Sequence, residues 1–167
     1  MSLLNPIRKD ILRLCSLVNC LDDLLYVKPF PVISGATLGQ HVRHILEFYS
    51  CILMNTRGEL ICYDNRKRDL QIETQRSVAL DVAERLMEAL ESIIIDKKIC
   101  VQANYMETDQ HDIFLTSTLF RELAYALDHS IHHQAIIKIG LCEMPAVLER
   151  IGELGVAPAT VRYKNLK

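Results

Sequence analysis

The sequence predicts an all-α fold, a four-helix bundle with at most a small β-hairpin between helices three and four. Three observations predict it. Apolar residues recur at spacings of three and four through several long stretches, capping residues stand where those stretches begin, and only six of 167 residues are glycine. Half of the residues are hydrophobic, which excludes a disordered chain. The length fits a single domain over 1–167, with a core large enough to fold without a disulfide or metal staple.

The elements follow in order. Asn5-Pro6 opens the first helix, asparagine as N-cap and proline at the first helical position. Ile7, Ile11, Leu14, Val18, Leu21 and Leu25 carry its seam. Pro29, Pro31 and Gly35 mark 26–36 as a crossover loop. Thr37-Leu38-Gly39-Gln40 is a capping box, and Leu38, Val42, Ile45, Tyr49 and Ile52 run along a second helix expected to stop near Gly58. A polar connection over 59–69 contains Arg66-Lys67-Arg68. Helix three carries Val78, Ala79, Val82, Leu86, Ala89 and Ile93. Ile99, Val101 and Ala103 then alternate with polar residues, and Ile113 to Thr116 is β-prone, so a hairpin is expected around Glu107 to His111. Helix four runs from about Thr118 to Gly140 with Glu122, Ala126, His129, His133, Ile136 and Gly140 on one face. Pro145 starts a short helix, and 152–167 reads as a tail.

Charge is balanced, 19 basic against 21 acidic residues, which gives no general drive toward nucleic acid or acidic membranes. The apolar run over 11–25 is broken by Arg13 and Asp22-Asp23 before it reaches membrane-spanning length, so no membrane partner is expected. The six cysteines are scattered without a C-x-x-C pair, and no signal peptide stands at the N-terminus. They read as reduced, mostly buried packing residues of a cytoplasmic protein. Arg66-Lys67-Arg68 suits an anionic ligand, although a short charged run between helices is more often a solvated loop.

The chemistry concentrates in Asp128-His129-Ser130-Ile131-His132-His133-Gln134. His129 and His133 are one helical turn apart on one face, within reach of a single cation. A second pair, His41 and His44, lies on the second helix, and two histidine-bearing helices can close a mononuclear site between them. Imidazole donors suit Zn, Ni, Fe or Cu and leave positions for water or substrate, a site able to activate water or a thiol. His41 and His132 are the candidates for a supporting or proton-relay role. The di-iron alternative fails, because it wants Glu-x-x-His on two helices and the chain has none. There is no G-x-S-x-G elbow, phosphate loop or dinucleotide fingerprint, and nothing in the spacing selects a Cys-His dyad.

Thr37-Leu38-Gly39-Gln40-His41-Val42-Arg43-His44-Ile45 resembles the start of the second helix of DinB-like (YfiT-like) proteins, and His129-Ser130-Ile131-His132-His133-Gln134 resembles their terminal histidine cluster. The resemblance covers most of the chain and implies an up-down-down-up four-helix bundle with one divalent metal (Zn, Ni or Fe) held by His44, His129 and His133. It departs from the usual H-E-x-H-H-R-G-Q form, with Ser130 for the acidic residue and Gln134-Ala135-Ile136 for Arg-Gly-Gln. It further implies a metal-dependent hydrolase or a small-thiol S-transferase acting on a small-molecule substrate. The alternative is a non-catalytic, metal-stabilised bundle serving homodimerisation or partner binding.

Overall fold

Two helices at the middle of the fold set the position of everything else. α3 (Leu38–Leu53) buries Leu38, Val42, Ile45, Leu46, Tyr49, Ile52 and Leu53, while α6 (Leu119–Gly140) buries Leu119, Leu123, Ala126, Leu127 and Ile137. They pack on each other within one hydrophobic cluster. The capping box forms as the sequence predicts, Gln40 N–H donating to Thr37 Oγ1 at 3.0 Å and Thr37 N–H donating to Gln40 Oε1 at 3.1 Å. Thr118 caps α6 by accepting from Arg121 N–H at 3.3 Å. The structure is a computed structural model and describes residues 3–54, 60–107 and 111–166.

The expectation of an all-α four-helix bundle is overturned. The described residues form eight α-helices and a three-stranded mixed sheet, so the fold is mixed α/β. Around the central pair stand α1 (Leu4–Cys20), α2 (Asp23–Val27), α4 (Leu70–Thr74), α5 (Arg76–Glu91), α7 (Pro145–Ile151) and α8 (Pro158–Lys164). The sheet has the order β1 (Leu60–Cys62), β2 (Lys98–Ala103), β3 (Ile113–Thr118). β2 and β3 are the antiparallel pair that the alternation of Ile99, Val101 and Ala103 foretells, joined through 108–110, which lie outside the described residues. β1 adds to β2 in parallel, Ile61 opposite Val101. Three residues in a segment read as polar show no period. Their partner lies 40 residues along the chain, where only tertiary packing selects it.

Smaller departures have local causes. α1 starts at Leu4 with Leu3 before it, not at Asn5-Pro6, because a proline in the first turn gives up only an N–H that has no partner there. The first helix breaks after Cys20, where the extended backbone of Asp22 lets its carboxylate accept from Leu25 N–H at 2.7 Å. A 3₁₀ turn over Pro31–Ile33 occupies the crossover, and α8 forms within the segment read as a tail. The second helix, expected to stop near Gly58, instead ends at Leu53 with Met54 as C-cap, its N–H donating to the Ser50 carbonyl. The six cysteines are free, but five are half-buried and Cys142 is exposed, so mostly buried packing is corrected. Burial pushes the Cys51 thiol up to about 11, away from reactivity at neutral pH. No described helix is long and apolar enough to cross a membrane.

One polar network holds α1, α3 and α6 together from inside. Asp10, 2% exposed, accepts from Tyr49 Oη–H at 2.9 Å and from Gln134 Nε2–H at 2.7 Å. Gln134 Nε2 also donates to Ser130 Oγ at 2.9 Å. Burial raises the Asp10 pKa, against the pull of these hydrogen bonds. Ser130 and Gln134 each adjoin a histidine of the cluster on α6, so the network fixes the rotation of that helix. Gly39 makes a close approach elsewhere on α3: a Cβ there would lie 2.0 Å from the Glu73 carbonyl oxygen, so only glycine lets α4 seat against it.

Candidate metal centre

α3 presents His41 and His44 toward His129 and His133 on α6. One nitrogen from each of His44, His129 and His133 can be chosen so that all three lie within 4.8 Å of one another, an arrangement able to hold a metal ion. His44 Nε2 and His129 Nε2 are 2.8 Å apart, and His41 Nδ1 and His133 Nδ1 are 2.9 Å apart. The three rings of the group have centroids 4.4 to 5.0 Å from one another. His41 thus stands behind His133 rather than within the group, its Nε2 buried without a partner. His132 is exposed, its ring 5.4 Å from that of His133.

Aromatic rings wall the group. Phe48 stacks on His129 at 4.2 Å and touches His44 at 4.7 Å, Tyr63 stacks on the Phe48 ring at 4.9 Å, and Tyr125 lies 5.8 Å from His129. Tyr63 Oη–H donates to Glu122 at 2.6 Å, tying the segment after β1 to α6. Sequence reasoning missed these rings, and the i, i+4 spacing of His44 with Phe48 and of Tyr125 with His129 is the signal that points to them.

Arg66 is the residue that the charged-run reading placed wrongly. Lys67 and Arg68 are exposed, but Arg66 turns inward with its side chain 15% exposed. Its Nε lies 3.3 Å from Glu47 Oε2 and its Nη1 donates to the Tyr63 carbonyl at 3.0 Å. Arg43 joins this buried charge cluster through Glu73 at 2.8 Å and Glu47 at 3.8 Å. Arg66 Nη2 is 3.3 Å from His44 Nδ1.

That contact fixes tautomers. A guanidinium only donates, so His44 accepts at Nδ1 and carries its proton on Nε2. The Nε2–H then donates to His129 Nε2, which leaves the His129 proton on Nδ1. His129 therefore already offers a lone pair on Nε2. His44 does not: a cation at its Nε2 needs the proton on Nδ1, facing a donor. Two nitrogens each 2.0–2.1 Å from a tetrahedral Zn²⁺ stand ~3.3 Å apart, so the 2.8 Å pair opens by about 0.5 Å on binding. The donor set fits a divalent transition metal in kind and spacing, with Arg66 opposing it at His44.

Burial shifts all four imidazoles in one direction. It lowers His44 to about 4 with help from Arg66, and His133 to about 3 with help from His44; His41 and His129 are also lowered, by desolvation first. In the metal-free protein each group is neutral when folded but protonates near pH ~6.5 when unfolded. The unfolded chain binds more protons between those values. Stability is whole above pH ~6.5 and is lost as pH falls toward the folded values. For metal binding the sign is favourable, because protons compete late. Bound Zn²⁺ is expected to stay on the protein below pH ~6.5, where ordinary histidines would release it, and to leave as pH approaches the about 4 of His44. Titration with a zinc indicator from pH 7.5 to 4 reads this directly, and half-release at or above pH 6.5 would contradict it.

No family model matches the chain, and no solved structure matches it. The chain is similar to FK506-binding protein 5 of Rhizopus delemar, 30% identical over 104 residues, which is 60% of this chain and 26% of that protein. The chain thus spans about a quarter of that relative's length, too small a share to place it in a family.

Proposed function

We propose that this chain is a DinB-like metal-dependent enzyme that holds one divalent ion (Zn, Ni or Fe) on His44, His129 and His133 and acts on a small molecule as a hydrolase or small-thiol S-transferase. The supporting observation is the convergence of three neutral imidazoles from α3 and α6. An ion bound there supplies Lewis-acid activation of water or a thiol. The protein's own groups do the rest. Phe48 and Tyr125 keep water off the flanks of His129. Arg66, once displaced from His44, offers its guanidinium to an anionic substrate group a few ångströms away. His132, exposed beside His133, would pass a proton to solvent.

A second reading has its own observation. His41 Nδ1 lies 2.9 Å from His133 Nδ1, so a modest ring movement would add a fourth imidazole and close the coordination sphere, as in a structural site. Cobalt-loaded protein separates the two. In the enzyme reading azide changes the visible Co²⁺ spectrum by taking an open position. A spectrum that ignores azide would leave the metal structural and the protein a non-catalytic, metal-stabilised fold for dimerisation or partner binding.

A further inference from the structure

A cavity lies on the far side of α6 from the histidines. It measures about 620 Å³, within the range of small-molecule sites, and is bounded by α1, α6 and α8. Ile131, two residues from both His129 and His133, lies across the helix from them. With Leu127 and Val161 it gives the cavity an apolar wall. Lys9, Arg13 and Arg162 also line it, and none of the three forms an ion pair with a described residue.

Two other charged residues of the cavity wall are occupied. Arg8 is paired to Glu91 at 2.7 Å, which removes one cation from the account without adding a free anion. Asp10 reaches the cavity wall with its carboxylate turned inward, 2% exposed and held by Tyr49 and Gln134; the nearby Arg13 favours its charged form, so Asp10 offsets part of the Arg13 charge. Three cations without an ion pair among the described residues thus stand beside an apolar wall. Apolar wall and cationic rim together match one ligand chemistry, an anionic head on an aliphatic tail.

We propose that this cavity is a second binding site, for a single-chain aliphatic carboxylate. Lys9, Arg13 and Arg162 receive the head group, and the tail lies against Leu127, Ile131 and Val161. The site is separate from the histidine group and does not depend on a metal.

Calorimetric titration of the full chain with octanoate, decanoate and dodecanoate, each below its micelle concentration, tests the proposal. Affinity should rise roughly fourfold per methylene until the cavity is filled. Acetate should not bind, and decanol should bind at least tenfold more weakly than decanoate. Lys9→Gln with Arg13→Gln should weaken decanoate at least tenfold, and these exposed positions leave the fold intact. Val161→Glu should abolish binding, its helicity checked by circular dichroism. His129→Ala should leave decanoate affinity unchanged. The proposal is overturned by no binding of any acid, by equal affinity for decanol, by indifference to the charge variants, or by loss of binding in His129→Ala. Phosphatidylglycerol vesicles form a last arm: capture by vesicles without binding of monomeric acid would make this a membrane-contact surface instead.

Discussion

His129→Ala should weaken Zn²⁺ binding on the order of a hundred- to thousandfold, the share of one ligand among three or four in sites of known affinity. The effect is larger than for any neighbour because His129 is the imidazole whose proton is already placed on Nδ1, with its Nε2 lone pair 2.8 Å from His44 Nε2. Its removal also opens the wall, since Phe48 stacks on that ring. The fold should survive. Position 129 is half-buried, α6 keeps its Thr118 cap, and Ser130 and Gln134 keep the bonds that set the helix rotation. His132→Ala and His111→Ala, both at exposed positions, should change affinity less than threefold by the same measure. Competition with a fluorescent zinc chelator reads all three, and equal losses in the His132 and His129 variants would move the site.

Arg66→Gln should do the opposite and tighten Zn²⁺ binding about tenfold, the lower end of what outer partners of metal-bound histidines contribute. The guanidinium acts twice against a cation. It repels the ion from within reach of the group, and by donating to His44 Nδ1 at 3.3 Å it holds the proton on the nitrogen that the ion needs. A glutamine can present its carbonyl to Nδ1–H and so supports the ligating tautomer. Glu47, freed of Arg66 but still near Arg43 and accepting from Asp69 N–H at 2.8 Å, limits the stability cost. If the variant binds zinc more weakly, Arg66 supports the site and the tautomer argument fails.

The helices that hold the site were legible because each carries strong local signals. The Thr37 capping box and the seam from Leu38 to Ile52 specify α3, and the Thr118 start with unbroken helical residues to Gly140 specifies α6. With those two helices read correctly, the spacing of His129 and His133 was enough to place both on one face. The all-α bundle was misread where local signals run out. β1 is three residues whose parallel pairing depends on β2, so nothing local announces it, whereas the β-prone runs of β2 and β3 did announce their hairpin. Arg66 was misread for a related reason: the run Arg66-Lys67-Arg68 is uniform in sequence, but Glu47 draws in only its first member. The Asp10 network lay hidden too, because a lone aspartate on an amphipathic helix gives no sign that Tyr49 and Gln134 will meet it.

X-ray absorption at the zinc edge of the loaded, tag-free protein reads the ligands of the ion itself. One zinc per chain is expected, with at least three imidazole nitrogens at ~2.0–2.1 Å, a signal that loses one imidazole in His44→Ala and in His129→Ala. Sulfur bound to the zinc, oxygen ligands alone, or an imidazole count unchanged in both variants would place the ion away from His44, His129 and His133.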